Sequence, residues 1–146
     1  MKISFELNPP RIVKDHHFEL VMLNQELQKF TQRASELVHL VDGIHLTDSV
    51  LGIPRISSIT AANFIKRSGN PLKLSCSVRV RDRNYTSMCQ FVSDAILSGV
   101  QRVLVLMGDD PIDGAKYRTT LRLTGAVTIH QVPIVNRKIQ KKASIN

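Results

Sequence analysis

Residues 72–111, LKLSCSVRVRDRNYTSMCQFVSDAILSGVQRVLVLMGDDP, decide the fold. Leu74, Cys76, Val78 and Val80 alternate with Lys73, Ser75, Ser77 and Arg79, the period of two that marks a strand with one apolar face. From Asn84 to Leu97 the period changes. Met88, Phe91, Val92, Ala95 and Ile96 fall on one face of a helix, and Gly99 stands at its end. Val103 to Leu106 is an unbroken apolar run, which predicts a strand covered on both faces. Gly108-Asp109-Asp110-Pro111 then turns the chain. Strand, helix and strand in so short a span make a crossover unit, whose two strands are parallel.

The flanks repeat the pattern. Lys2 to Leu7 alternates as a strand and stops at Pro9-Pro10, which cannot continue a ladder. Phe18, Val21, Met22, Leu27, Phe30, Ala34, Leu37 and Val38 recur at three- and four-residue spacing, predicting a long helix whose apolar stripe is core packing. Gly43 breaks the chain before a short strand over Ile44 to Leu46, which ends in Thr47-Asp48-Ser49. Ser57 to Lys66 predicts a short helix closed by Ser68-Gly69-Asn70-Pro71. Beyond Pro111 the pattern weakens to a short helix over Tyr117 to Leu123 and a fifth strand over Ala126 to Val132. Alternating strands and helices with right-handed crossovers predict an α/β domain of parallel βα units. No repeat or linker divides residues 1–146, so a single domain is expected, with a basic tail from about residue 133.

Composition agrees with a packed chain. Hydrophobic residues make up 42% and charged residues 22% of 146, which argues against disorder. No run approaches the roughly 18 apolar residues that cross a bilayer. Glu6 and two prolines interrupt the N-terminal stretch where a signal peptide needs an apolar core. A cytoplasmic chain without a membrane partner is expected. Cys76 and Cys89 read as small hydrophobes rather than a disulfide or metal pair, and His16, His17, His39, His45 and His130 have no ligand spacing, so no metal site is expected. The net charge of +8 gathers toward the C-terminus, where Lys116, Arg118, Arg122, Arg137, Lys138, Lys141 and Lys142 occur without an acid. Such a tail attracts anions or an acidic partner, or is simply a solvated terminus. With only Tyr117 there to stack on bases, nucleic acid is a poor fit.

In parallel α/β folds the reacting groups sit at strand C-termini. All four such ends are polar: Glu6 with Asn8, Thr47-Asp48, Arg79 to Asn84, and Gly108-Asp109-Asp110. A carboxylate within an apolar strand, as Glu6 is, must be solvated in a cavity, be paired, for example to Arg81 or Arg83, or titrate high enough to serve as a general acid. Arg79, Arg81 and Arg83 around Asp82 can hold a carboxylate or phosphate, or pair among themselves. Gly108 beside Asp109 lets backbone approach a ligand next to a carboxylate. There is no GxGxxG or Walker-type loop and no nucleophile spacing around Ser57, Ser58 or the histidines.

Three segments, in order, resemble the flavin-dependent methylenetetrahydrofolate reductase family. SFELNPPR, residues 4–11, is similar to that family's FEFFPP-like first strand. SVRVRDRN, residues 77–84, is similar to its HLTCRDRN-like third-strand end. GVQRVLVLMGDDP, residues 99–111, is similar to its fourth strand running into Gly-Asp-x-Pro. The resemblance implies the first half of a (βα)₈ barrel, a partial TIM-type barrel, with FAD at the strand C-termini. By the same resemblance Glu6 is the acid that protonates the substrate, and Asp109 is the aspartate near the flavin ring and folate. Gly108 is its neighbour on the flavin loop, and Thr47 is a threonine near the cofactor. The implied reaction in one-carbon metabolism reduces methylenetetrahydrofolate, or a related C1-carrying pterin, to the methyl form. NADH, NADPH or a partner protein supplies electrons. Ser77 departs from the family's histidine and Met107 from its arginine or threonine. A closed barrel needs roughly 250 residues, so a second copy or a partner chain completing the barrel is expected. The alternative is a non-catalytic half-barrel remnant or binding module.

Overall fold

The computed structural model describes residues 2–12, 19–81 and 83–109, and the backbone of 127–130. The expected helix over Tyr117 to Leu123, Asp82, Asp110 and the basic tail lie outside these residues. The first strand, β1 (Ser4–Leu7), leads to helix α1 (Leu20–Glu36) and strand β2 (Gly43–Leu46). A 3₁₀ turn at Val50–Gly52 precedes helix α2 (Ser58–Arg67) and strand β3 (Lys73–Arg79). Helix α3 (Tyr85–Leu97), strand β4 (Arg102–Leu106) and strand β5 (Val127–His130) follow. The sheet order is β1-β2-β3-β4-β5, and the first four strands are parallel. Among the described residues, no helix is long and apolar enough to cross a membrane.

Sequential order decides where the core lies. Right-handed crossovers that always step in the same direction place every helix on the same face of the sheet. On that face Leu7, Ile44, Leu46, Leu74, Cys76, Val78, Val103 and Val105 meet Phe30 and Ala34 of α1, Ile59, Ala61, Ala62 and Ile65 of α2, and Phe91 and Ala95 of α3. The alanines let helix backbones approach the strands, and a fully buried side chain such as Ile65 contributes about 1.5–3 kcal/mol. Gly43 is required where β2 squeezes past β3, since a Cβ there would lie 2.8 Å from the Lys73 carbonyl oxygen.

Two expectations change. Val103 and Val105 are buried, but Leu104 and Leu106 are only half-buried, because the helices leave the other face of β4 without a layer. The run is apolar on both sides although only one side is packed under helices. The fifth strand exists, but it is antiparallel to β4, with Val103 opposite Ile129 and Val105 opposite Val127. The uniformly parallel units therefore number four, and the fifth strand returns beside the fourth.

Helix ends explain the boundaries. Ser57 Oγ accepts from Thr60 N–H at 3.1 Å at the start of α2. At α3, Asn84 and Ser87 form a reciprocal capping box. The C-terminus of α3 closes as a Schellman motif, with Val100 N–H donating to Ala95 and Gly99 N–H to Ile96. Gly99 supplies the positive φ of 63° that this motif needs. Lys66 of α2 donates to the carbonyls of Ser98 and Gly99, both at 2.7 Å, which joins the two helix ends.

Candidate functional site

The helix-free face is built from the polar half of each strand's alternation. In register across it stand Glu6, His45, Ser75 and Arg102, with Ser77 beside Leu104 one step further along. His45 lies between two serines: its Nδ1 is 2.9 Å from Ser75 Oγ and its Nε2 is 2.7 Å from Ser77 Oγ. Ser75 Oγ also donates, at 3.4 Å, to the Ile44 carbonyl. That leaves its oxygen to accept from Nδ1–H, so Nε2 carries the lone pair that accepts the Ser77 hydroxyl. Burial lowers the His45 pKa below the usual imidazole value. The Glu6 charge raises it by less, and Arg102 lowers it further. A neutral ring suits this pair of bonds.

At the C-terminal rim the strand ends are cross-braced. Thr47, which is buried, donates its hydroxyl to Asn8 Oδ1 at 2.6 Å and ties β2 to the segment after β1. Asp48 Oδ2 accepts the Arg79 N–H at 2.9 Å and sits 3.6 Å from Arg83 Nη2. The buried Arg79 reaches back with Nη1 to the Ser49 carbonyl at 2.8 Å. Ser49 and Leu51 both hold left-handed backbone, with φ of 46° and 59°, a conformation that costs non-glycine residues energy and survives only where neighbours enforce it. One enforcing neighbour is Asp109, whose Oδ2 accepts the Leu51 N–H at 2.8 Å. Gly108 has φ of 88°, and a Cβ there would meet Arg79 Cγ at 2.8 Å. The close approach that Gly108 permits is therefore to the Arg79 stem. Arg81 Nε donates to the Gly108 carbonyl at 3.1 Å, and the Arg83 guanidinium lies 5.0 Å from the Phe91 ring centre.

These elements enclose an open-mouthed cavity of about 410 Å³. Glu6, Thr47, Gly108 and Asp109 all line it, so the four residues singled out from the sequence come together from three different strand ends. Glu6 is exposed on the open face rather than buried in apolar surroundings, which matches the solvated alternative. Leu104 and Leu106 contribute apolar surface to the lining, together with His45, Ser77 and Asp48. Other cavities lie elsewhere among the described residues. One of about 500 Å³ lies at the N-terminal ends of the strands, beside Lys2, Lys73 and Arg102. Another of about 380 Å³ lies between α1 and the Pro9-Pro10 segment. The first is at the opposite end of the strands from the place where βα folds put their chemistry, and the second, though it begins at Asn8 beyond β1, includes none of Glu6, Thr47, Gly108 and Asp109. Among the described residues, no cluster of three metal-ligating side chains occurs.

Sequence reasoning passed over His45 with its two serines, and also the bracing role of Asp48. The signal available was alternation: Ser75, Ser77 and His45 all occupy polar positions of their strands. Only the register shows that they meet. No family model matches the chain, and no curated protein matches it.

Proposed function

We propose that the chain is a methylenetetrahydrofolate reductase-like flavoprotein half, the first part of a TIM-type barrel, acting on a methylene-C1 folate or related pterin. The observation that carries this is the convergence of Glu6, Thr47, Gly108 and Asp109 on one cavity at the strand C-termini. The cavity also fits the ring end of FAD in kind: apolar surface from Leu104 and Leu106 beside hydrogen-bonding groups suits a planar heteroaromatic system. Thr47 Oγ1 and the Asp109 carboxylate would border that ring. The nearby arginines are engaged with Ser49, Gly108 and Asp48, so the flavin's pyrophosphate would rely on other groups.

FAD supplies hydride chemistry when bound, with NADH or NADPH as its source of electrons. The protein's part is to position and to move a proton. Glu6, solvated in the free chain, would pass a proton to the pterin once bound ligand excludes water from around it, and Asp109 holds the Val50–Gly52 turn beside the reacting region. The test is a visible spectrum of the purified protein titrated with FAD. A flavin band should develop and bleach with reduced nicotinamide. Glu6→Gln should keep the band and lose about 100-fold or more of reoxidation by methylenetetrahydrofolate. A protein that stays colourless in excess FAD overturns the proposal.

That outcome would leave a second function, a non-catalytic half-barrel or binding module. The antiparallel β5 favours it, because a parallel barrel has no place for that strand direction.

A further inference from the structure

The free edge of β1 carries a pattern that matches itself. Ile3 O accepts from Asp42 N–H at 2.9 Å, and Leu7 O accepts from Thr47 N–H at 3.4 Å, so the odd-numbered residues turn their backbone toward β2. By the pleat, Lys2, Ser4 and Glu6 turn their N–H and C=O groups the other way. Among the described residues, no strand pairs with β1 on that side. An edge left with unpaired donors and acceptors is a template for another strand.

The side chains specify which one. Lys2 and Glu6 carry opposite charges and stand two residues either side of Ser4, with Lys2 just ahead of β1 in a hollow it shares with Ser75 and Arg102 of the open face. Ile3 and Phe5, each 46% exposed, stand one residue either side on the helix face. When two β1 strands run antiparallel with Ser4 opposite Ser4, Lys2 faces Glu6 twice and Ile3 faces Phe5 twice. In the same register the outward-turned residues Lys2, Ser4 and Glu6 all become hydrogen-bonded pairs. An edge protected only by charge would gain from carrying one sign, whereas these two signs are placed to meet.

We infer that the chain forms a two-fold dimer through β1, antiparallel and centred on Ser4, with a second copy of itself as the partner. Two five-stranded sheets join edge to edge, with both helix layers on one side and both open faces on the other. This is an extended sheet, not barrel closure. It sets the ammonium of Lys2 from the second copy directly beside Glu6, so the cavity on the open face gains a residue that one copy lacks. The inference stands on the strand edge and is independent of any flavin chemistry.

Equilibrium sedimentation of wild type, Lys2→Glu, Glu6→Lys and the double variant tests it, with circular dichroism to check folding. Wild type should dimerise. Each single charge reversal should raise the dissociation constant by about tenfold, and the double reversal should restore it. In a Cys89→Ser background, Ser4→Cys should form an interchain disulfide in oxidised glutathione, because Cα atoms of such a pair lie about 5.5 Å apart. Phe5→Cys, which faces Ile3 and not itself, should not. A monomeric wild type, single reversals that dimerise like wild type, or cross-linking of Phe5→Cys as fast as Ser4→Cys overturns the inference. If a charge reversal fails to fold, the cysteine pair decides.

Discussion

His45 shows how one side chain can tie a sheet's open face to pH. Its ring accepts the Ser77 hydroxyl through Nε2, and protonation would turn that acceptor into a donor aimed at the same oxygen. Burial already disfavours the charged ring, more than the neighbouring Glu6 favours it. The folded-state pKa therefore lies below the unfolded value of 6.5, and the folded state binds fewer protons than the unfolded one. The stability linked to His45 is complete above pH 6.5 and is lost as pH falls through the folded-state pKa. Urea midpoints measured from neutral pH down to about pH 5 should fall for wild type and fall less for His45→Gln. Equal slopes for the two proteins would mean that His45 does not titrate in this way.

At the scale of elements, α3 owes its start to Asn84. The side chain accepts Ser87 N–H at 2.9 Å, and Ser87 Oγ accepts Asn84 N–H at 3.2 Å. Asn84→Ala should cost about 1 kcal/mol in chemical unfolding with an unchanged denaturant slope, and a null effect would deny the cap its role. Local devices of this kind are why α2, β3 and α3 were legible in the sequence to within a residue at each end. Caps, alternation and terminal glycines act over a few positions. The start of α1 was less legible: Glu19 stands at its N-cap without a side-chain hydrogen bond, so nothing local marks the boundary at Leu20. The direction of β5 was not legible at all, since a four-residue strand carries no polarity in its pattern and its direction depends on where β4 lies. The same limit hid the His45 cluster, whose members are 30 and 32 positions apart and meet only through strand register. Glu6, Thr47, Gly108 and Asp109 stood out by their place at strand ends and took their roles from the family resemblance, whereas their spatial meeting is a property of the fold.

Across the whole molecule, the two cysteines report on different levels of structure. Cys89 is exposed on α3, whereas Cys76 is buried beneath α2, where burial pushes its thiol up to about 12. A thiolate is the reactive form, so the buried group is protected both by access and by protonation. In native buffer a disulfide-exchange reagent should modify Cys89 promptly and reach Cys76 only at the rate of unfolding. Rapid release of both equivalents would mean that the helix layer opens over β3 without global unfolding.

The unidirectional strand order also bears on how the chain assembles. Ser4 finds its neighbour Gly43 39 positions on, and His45 finds Ser75 only 30 positions on. Each closure spans a modest loop, and closure entropy rises only with the logarithm of loop length. Parallel sheets are often slow to form because their strands must search far along the chain. Here every strand of the parallel set pairs with the unit made just before it, so the sheet can be laid down in the order in which a ribosome delivers it. By the time β4 is synthesised, β1, β2 and β3 already have every partner that their own alignment requires.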